Sequence, residues 1–198
     1  MISGNIAARN SRQWDSILFF AAGSFMLVNV IVLWIRYSSS AQLSILWAAI
    51  PGIAALTASI IGLFKLYPRI SSEARLLARS GAGFALLGGA ALCTAAIWIF
   101  GTAIFSGEVP EPAPSGLLAL IGIFIISMVL AYICYAIAFL IYSSSKSIGY
   151  LLMVPVASWG LMLVVGMVEG LEAGLTLDLY TNGVIAAAFI ALGVMLKK

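Results

Sequence analysis

Long runs of apolar residues separated by short polar segments organise this chain. Six runs approach the ~20 residues that a helix needs to cross a bilayer. The pattern predicts membrane spans over 16–37, 43–67, 82–105, 116–142, 149–168 and 182–196. The sixth run is the shortest, and Leu177 or Leu179 would serve equally well as its start. We therefore expect an all-α polytopic membrane protein, built as a single six-helix bundle over residues 1–198.

The composition supports a membrane protein and narrows the chemistry. Hydrophobic residues make up 63% of the 198 residues and charged residues 9%, whereas a soluble domain carries roughly 25% charged residues. The chain has no histidine, which removes the commonest general base and zinc ligand. It also lacks the glycine-rich and nucleophile-elbow motifs of nucleotide-binding and hydrolytic enzymes. We expect no cofactor.

The charges divide unequally between the two predicted sides of the membrane. With six spans, all lysines and arginines except Arg36 fall on the side of the termini. Most acidic residues fall opposite: Glu108, Glu111, Glu169, Glu172 and Asp178. By the positive-inside rule, both termini are predicted to lie in the cytoplasm, with the protein in the cell membrane. The net charge of +3 is thus explained by orientation, and we expect no nucleic-acid partner.

The basic segment after the second span predicts contact with lipid headgroups. Arg69, Arg75 and Arg79 lie there, and long basic side chains at a membrane boundary reach anionic headgroups. Besides the bilayer, we expect either a membrane-protein partner or a second copy of the chain.

A short motif occurs twice and suggests two related halves. Tyr37 and Tyr142 each begin a Tyr-Ser-Ser-Ser sequence, and Pro51 and Pro155 follow at nearly equal intervals. The halves would be 16–105 and 116–196, joined by the proline-rich linker 106–115. Because three spans is an odd number, such halves would be inverted in the membrane, as in many transporters. The alternative is chance, since Tyr, Ser and Pro are common near membrane boundaries.

Polar residues within the spans are the candidates for function. No ionisable residue lies near mid-depth in any run, which argues against a proton relay or voltage sensor. Asn29, Thr94 and Tyr135 lie within predicted spans. Hydrogen bonding between helices is the favoured interpretation. The alternative is a solute path lined by these residues, with Pro51 and Pro155 as hinges.

The third span contains a row of small residues. Gly81, Ala85 and Gly89 recur every fourth residue, a spacing that lets another helix approach closely. This row predicts that span 3 is the central helix, the one least exposed to lipid. Cys93 and Cys134 are expected to be buried thiols at different depths, too far apart for a disulfide.

Three carboxylates on the acidic side form a weak candidate metal site. Glu169, Glu172 and Asp178 could bind Ca²⁺ or Mg²⁺ through their oxygens. A solvated acidic rim is the favoured interpretation, because such sites need more ligands at closer spacing.

Three functions are compatible with the sequence. The first is a non-catalytic helix bundle that serves as an accessory or scaffold subunit. The second is a small inverted-repeat transporter or channel for a neutral or lipidic solute. The third, an intramembrane enzyme, is the least favoured, because only Tyr, Ser, Asn and rim carboxylates would be available for catalysis.

Overall fold

Six α-helices form the part of the protein that the structure describes. The computed structural model describes residues 2–38, 44, 46–106, 114–169 and 171–197, with the side chains of 2–13, 106, 166 and 171–176 left undescribed. The helices are α1 (Ile2–Ser38), α2 (Leu46–Ile70), α3 (Arg75–Ser106), α4 (Ser115–Tyr142), α5 (Lys146–Val168) and α6 (Leu171–Lys197).

All six helices are long and apolar enough to cross a membrane, which confirms the predicted fold class. The part of the chain that the structure describes contains no strand. The membrane-crossing segment of α6 is longer than the predicted sixth span and runs from Leu177 to Lys197. It therefore begins at the earlier of the predicted starts, and Asp178 lies inside it.

The helices pack in a ring that follows chain order. Each helix contacts the next along the chain, and α6 closes the ring against α1. Successive helices run antiparallel, so α1, α3 and α5 begin at the end of the bundle that holds Arg69, Arg75 and Lys146. We call this end the basic face and the opposite end the acidic face. Within the ring, α2 also reaches α4.

The half of the bundle near the basic face is tightly closed. The Arg69 guanidinium donates two hydrogen bonds to Asp15 Oδ2, from Nη2 at 2.7 Å and from Nε at 3.1 Å. The hydroxyl of Ser16 donates to the carbonyl oxygen of Gly193 at 2.7 Å. These contacts tie the start of the membrane-crossing segment of α1, Trp14–Ser38, to the ends of α2 and α6. Arg69, predicted to contact lipid, is thus paired within the protein, while Arg75 and Arg79 are exposed.

The prediction that α3 is the central helix is wrong. Only 28% of the residues in its most apolar window are buried, against 44% in α6. Its small residues do allow close approach, since a Cβ built on Gly81 would lie 2.9 Å from the Tyr135 ring. That contact occupies one side of the helix, and the other side lies on the surface. Cys93 is exposed there, contrary to the expectation of burial, and Cys134 is half-buried.

The two copies of the repeated motif lie at opposite faces. Tyr37 is in the last turn of α1 at the acidic face, and Tyr142 ends α4 at the basic face. Both tyrosines are exposed. Inverted halves stay a prediction. In a closed ring of six helices, the helix-to-helix contacts are the same whether or not the two halves are related, so the contacts do not test the repeat. Most of the linker, 107–113, and Ser39 and Ser40 lie outside the described residues.

Candidate binding cavity

A cavity of about 400 Å³ lies inside the ring. Every helix contributes to its wall, as shown by one residue from each: Asn29, Ala48, Ala95, Phe124, Trp159 and Asn182. Each of these residues lies in the part of its helix nearer the acidic face. The cavity therefore occupies the acidic half of the bundle, and its volume falls in the range of small-molecule sites, ~300–1,000 Å³.

The cavity wall is apolar apart from a few groups. Leu, Ile, Met, Ala and Phe side chains form most of it, and Asn29, Asp178 and Asn182 are its polar side chains among the described residues, together with the indole of Trp159. Sparse polar groups on an apolar wall are typical of sites that bind small organic molecules.

Asn29 joins α1 to α2 at the cavity wall. Its side-chain nitrogen donates a 2.7 Å hydrogen bond to the carbonyl oxygen of Ala48. A Cβ built on Gly52 would lie 3.0 Å from the same nitrogen, so glycine at this position lets the amide sit close to the α2 backbone. This bond uses the amide nitrogen, and the amide oxygen remains as an acceptor.

Asp178 and Asn182 supply the other polar groups, from one face of α6. They are four residues apart, one helical turn, and the side chain of Asn182 is a polar neighbour of the Asp178 carboxyl group. Asp178 is half-buried and lines the cavity. It is the one ionisable side chain among the described residues of the cavity wall.

A chain of five aromatic rings closes the cavity toward the basic face. We call Phe19, Phe189, Tyr132, Trp159 and Phe124 the aromatic plug. Neighbouring rings, taken in that order, have centroids 6.0, 6.2, 5.9 and 6.2 Å apart. Such separations favour aromatic pairing. Trp159 and Phe124 also line the cavity, so the plug forms its floor and links α1, α4, α5 and α6.

The plug contains a buried hydroxyl that lacks a hydrogen bond. Tyr132 is fully buried, and its hydroxyl has no partner by hydrogen-bond geometry among the described residues. Ser59 on α2 is a polar neighbour, but the Ser59 hydroxyl donates to the carbonyl oxygen of Leu56 at 2.8 Å. An unpaired buried hydroxyl costs roughly 1–3 kcal/mol.

A second, smaller groove of about 300 Å³ lies between α2 and α3. These two helices make the loosest contact between chain neighbours in the ring. Apolar side chains such as Ile60 and Leu86 line the groove, together with Thr57 and the exposed Cys93. Leu92 lines both the groove and the central cavity. This side chain therefore forms part of the partition between the cavity and the lipid-facing surface.

The structure separates the residues that were predicted to line a solute path. Asn29 lines the cavity, and Pro51 is buried next to Gly52 in its wall. Pro155 is buried one turn from Trp159, on the side of the basic face. Thr94 is exposed, and its hydroxyl donates to the carbonyl oxygen of Ala90 on its own helix. Tyr135 is fully buried in the basic half.

The weak metal candidates are not gathered together in the structure. Glu169 is exposed at the end of α5, whereas Asp178 lines the cavity, and the Glu172 side chain lies outside the described residues. The described side chains include no group of three or more His, Cys, Asp or Glu placed to hold a metal ion.

Two cavity-wall residues that are candidates for ligand contact were not predicted from the sequence, and a third was given only a minor role. Trp159 and Asn182 were not singled out, and Asp178 was considered only as part of an acidic rim. The spacing of Asp178 and Asn182 was the available signal, because a helix extended to Leu177 places both on one face.

No family model, curated protein or solved structure matches this chain.

Proposed function

We propose that the protein is a small transporter for a neutral or lipidic solute, in a conformation open toward the acidic face. The observation that carries this proposal is the cavity to which all six helices contribute. A bundle that serves only as a scaffold has no need of an interior cavity, since membrane helices associate through close packing.

The unequal closure of the two halves supports alternating access. The acidic half holds the cavity, with the aromatic plug as its floor, and the basic half is closed by the Asp15–Arg69 ion pair and the Ser16–Gly193 hydrogen bond. In a transporter one side is closed while the other is open. By the positive-inside rule, the cavity would open outward and the closed half would face the cytoplasm.

The chemistry of the wall supports the solute class. An apolar wall with few hydrogen-bonding groups suits a largely apolar molecule. The thin partition at Leu92 supports a lipidic solute in particular, because a molecule dissolved in the bilayer could reach the cavity between α2 and α3.

Thiol labelling from each side of the membrane tests the proposal. The background is Cys93→Ser with Cys134→Ser, which removes both native thiols. Ala49→Cys places a thiol on the cavity wall, and Ser59→Cys places one at a fully buried position on the same helix. The two positions are about 15 Å apart along α2 at 1.5 Å per residue. A membrane-impermeant maleimide is applied to vesicles of each orientation.

A transporter predicts different behaviour at the two positions. Ala49→Cys should react from the outside, and Ser59→Cys should react slowly from the cytoplasmic side, when the basic half opens. The conservative Ser59→Cys change keeps the side-chain size, so labelling there reports motion of the protein. A lack of reaction at Ala49→Cys would show that water does not reach the cavity, and a lack of reaction at Ser59→Cys would show a static bundle.

A further inference from the structure

Asp178 is a carboxylate in an apolar cavity, and its partners there are incomplete. It is the second residue of the membrane-crossing segment Leu177–Lys197. The Asn182 side chain is its polar neighbour, but the described cavity wall contains no lysine or arginine. A carboxylate removed from water is costly unless it is paired with a positive charge. Within the membrane such a residue points to function.

The surrounding groups are suited to an organic cation. The amide oxygens of Asn29 and Asn182 accept hydrogen bonds, and Trp159 and Phe124 present aromatic rings from the cavity floor. These rings offer an apolar surface on which the body of a ligand can pack. The remaining wall is made of Leu, Ile, Met and Ala side chains, which favour an apolar body behind the charged group.

The same groups do not suit a metal ion. Calcium takes 6–8 oxygen ligands at close range, and magnesium requires octahedral coordination. The cavity offers a single carboxylate and two amides on a wall that encloses about 400 Å³. A molecule with one positive charge and an apolar body fills such a space, whereas a bare metal ion does not.

We infer that the cavity selects amphipathic monovalent organic cations, whose ammonium group pairs with Asp178 while the apolar body lies over Trp159 and Phe124. This inference rests on the proposed function, because it takes the cavity as the solute site, and it favours a lipidic solute with one positive charge over a neutral solute. The acidic side chains Glu169 and Asp178 at this end of the bundle would also draw cations toward the cavity.

Three probes with the same rigid apolar body test the charge preference. They are 1-aminoadamantane, 1-adamantanol and 1-adamantanecarboxylate, which are cationic, neutral and anionic at neutral pH. Binding to the full chain is measured by titration calorimetry in phosphatidylcholine nanodiscs, with empty nanodiscs subtracted. The wild type should bind the amine about 10-fold to 100-fold more tightly than the alcohol, as expected for one charge-assisted hydrogen bond. The carboxylate should bind most weakly.

Asp178→Asn removes the charge and keeps the side-chain shape. This variant should bind the amine and the alcohol equally, with the alcohol affinity unchanged. Glu73→Gln is the matched control, because Glu73 is exposed in the turn at the basic face and its loss removes one negative charge far from the cavity. Glu73→Gln should keep the full preference for the amine. Asp178→Glu should also keep it, which separates loss of charge from loss of folding.

Each failure has a different meaning. If the wild type binds all three probes equally, or if Asp178→Asn keeps the preference for the amine, the inference is overturned and the cavity remains a site for neutral solutes. If the wild type binds neither the amine nor the alcohol, both the inference and the proposed function are contradicted. Loss of the preference in Asp178→Glu as well as in Asp178→Asn would also overturn the role of the charge.

Discussion

The contact between α1 and α6 closes the ring, and Gly23 tests how close that contact is. A Cβ built on Gly23 would lie 2.6 Å from Ile190 Cγ1 and 2.9 Å from the carbonyl oxygen of Ala186. Both distances are well inside the ~3.5–4.0 Å of favourable contact between carbon atoms. The Ile190 side chain could rotate away, but the backbone oxygen moves only if α6 moves. Gly23→Ala should therefore force the two helices apart.

The expected change in unfolding free energy follows from comparison with a glycine that has open space around it. A Cβ built on Gly183 of α6 would have nothing within 4 Å, so Gly183→Ala gains only the helix propensity of alanine, about 1 kcal/mol. Gly23→Ala has the same gain and also the cost of overpacking, about 1–3 kcal/mol. The difference in unfolding free energy between the two variants should therefore be about 1–3 kcal/mol, with Gly23→Ala the less stable.

Reversible unfolding by dodecyl sulfate in mixed micelles, followed by far-ultraviolet circular dichroism, gives both free energies. The two variants are compared at the same detergent composition, so the propensity term cancels. Equal stability, within about 0.5 kcal/mol as the usual additivity error, would mean that α1 and α6 are not in close backbone contact. That result would contradict the closed ring of helices and the cavity within it.

Three further changes probe the closed half, the plug and the partition. A double-mutant cycle with Asp15→Asn and Arg69→Gln should give a coupling energy of about 1–3 kcal/mol in the same unfolding assay, since the pair is largely buried and charge-assisted; additive effects would contradict this. Tyr132→Phe should raise the unfolding free energy by about 1–3 kcal/mol, because the lost hydroxyl is unpaired; a loss of stability would reveal a partner. Leu92→Ala should speed the reaction of Ala95→Cys with a lipid-soluble maleimide, because Leu92 separates the groove from the cavity; an unchanged rate would place the partition elsewhere.

The spans could be predicted from sequence because the cost of burying charge in lipid is large and local. The sequence does not predict which side of each helix faces the interior of the bundle. In a membrane, both the lipid-facing and the core-facing sides are apolar, so hydropathy does not distinguish Cys93, which is exposed, from Ala95, which is buried. The small-residue row at Gly81 correctly indicated close approach, but one close contact does not make a helix central.

The cavity escaped prediction for a related reason. Asp178, Thr181 and Asn182 interrupt the last apolar run, and the predicted sixth span therefore began only at Asn182. In the structure α6 continues through these residues, and two of them line the cavity. A polar group that faces an interior space does not prevent a helix from spanning the membrane, but it lowers the local hydropathy as much as one that faces lipid.

The central claim is that the cavity opens and closes at the acidic face. Spin labels on Leu33→Cys in α1 and Met162→Cys in α5, both on the cavity wall, report the distance across it by double electron–electron resonance. The measurement is made on the full chain in nanodiscs, in the background without native cysteines. A transporter predicts two distance populations, with the shorter one favoured when 1-aminoadamantane is bound. A single narrow population, unchanged by the amine, would contradict the account and favour a static scaffold.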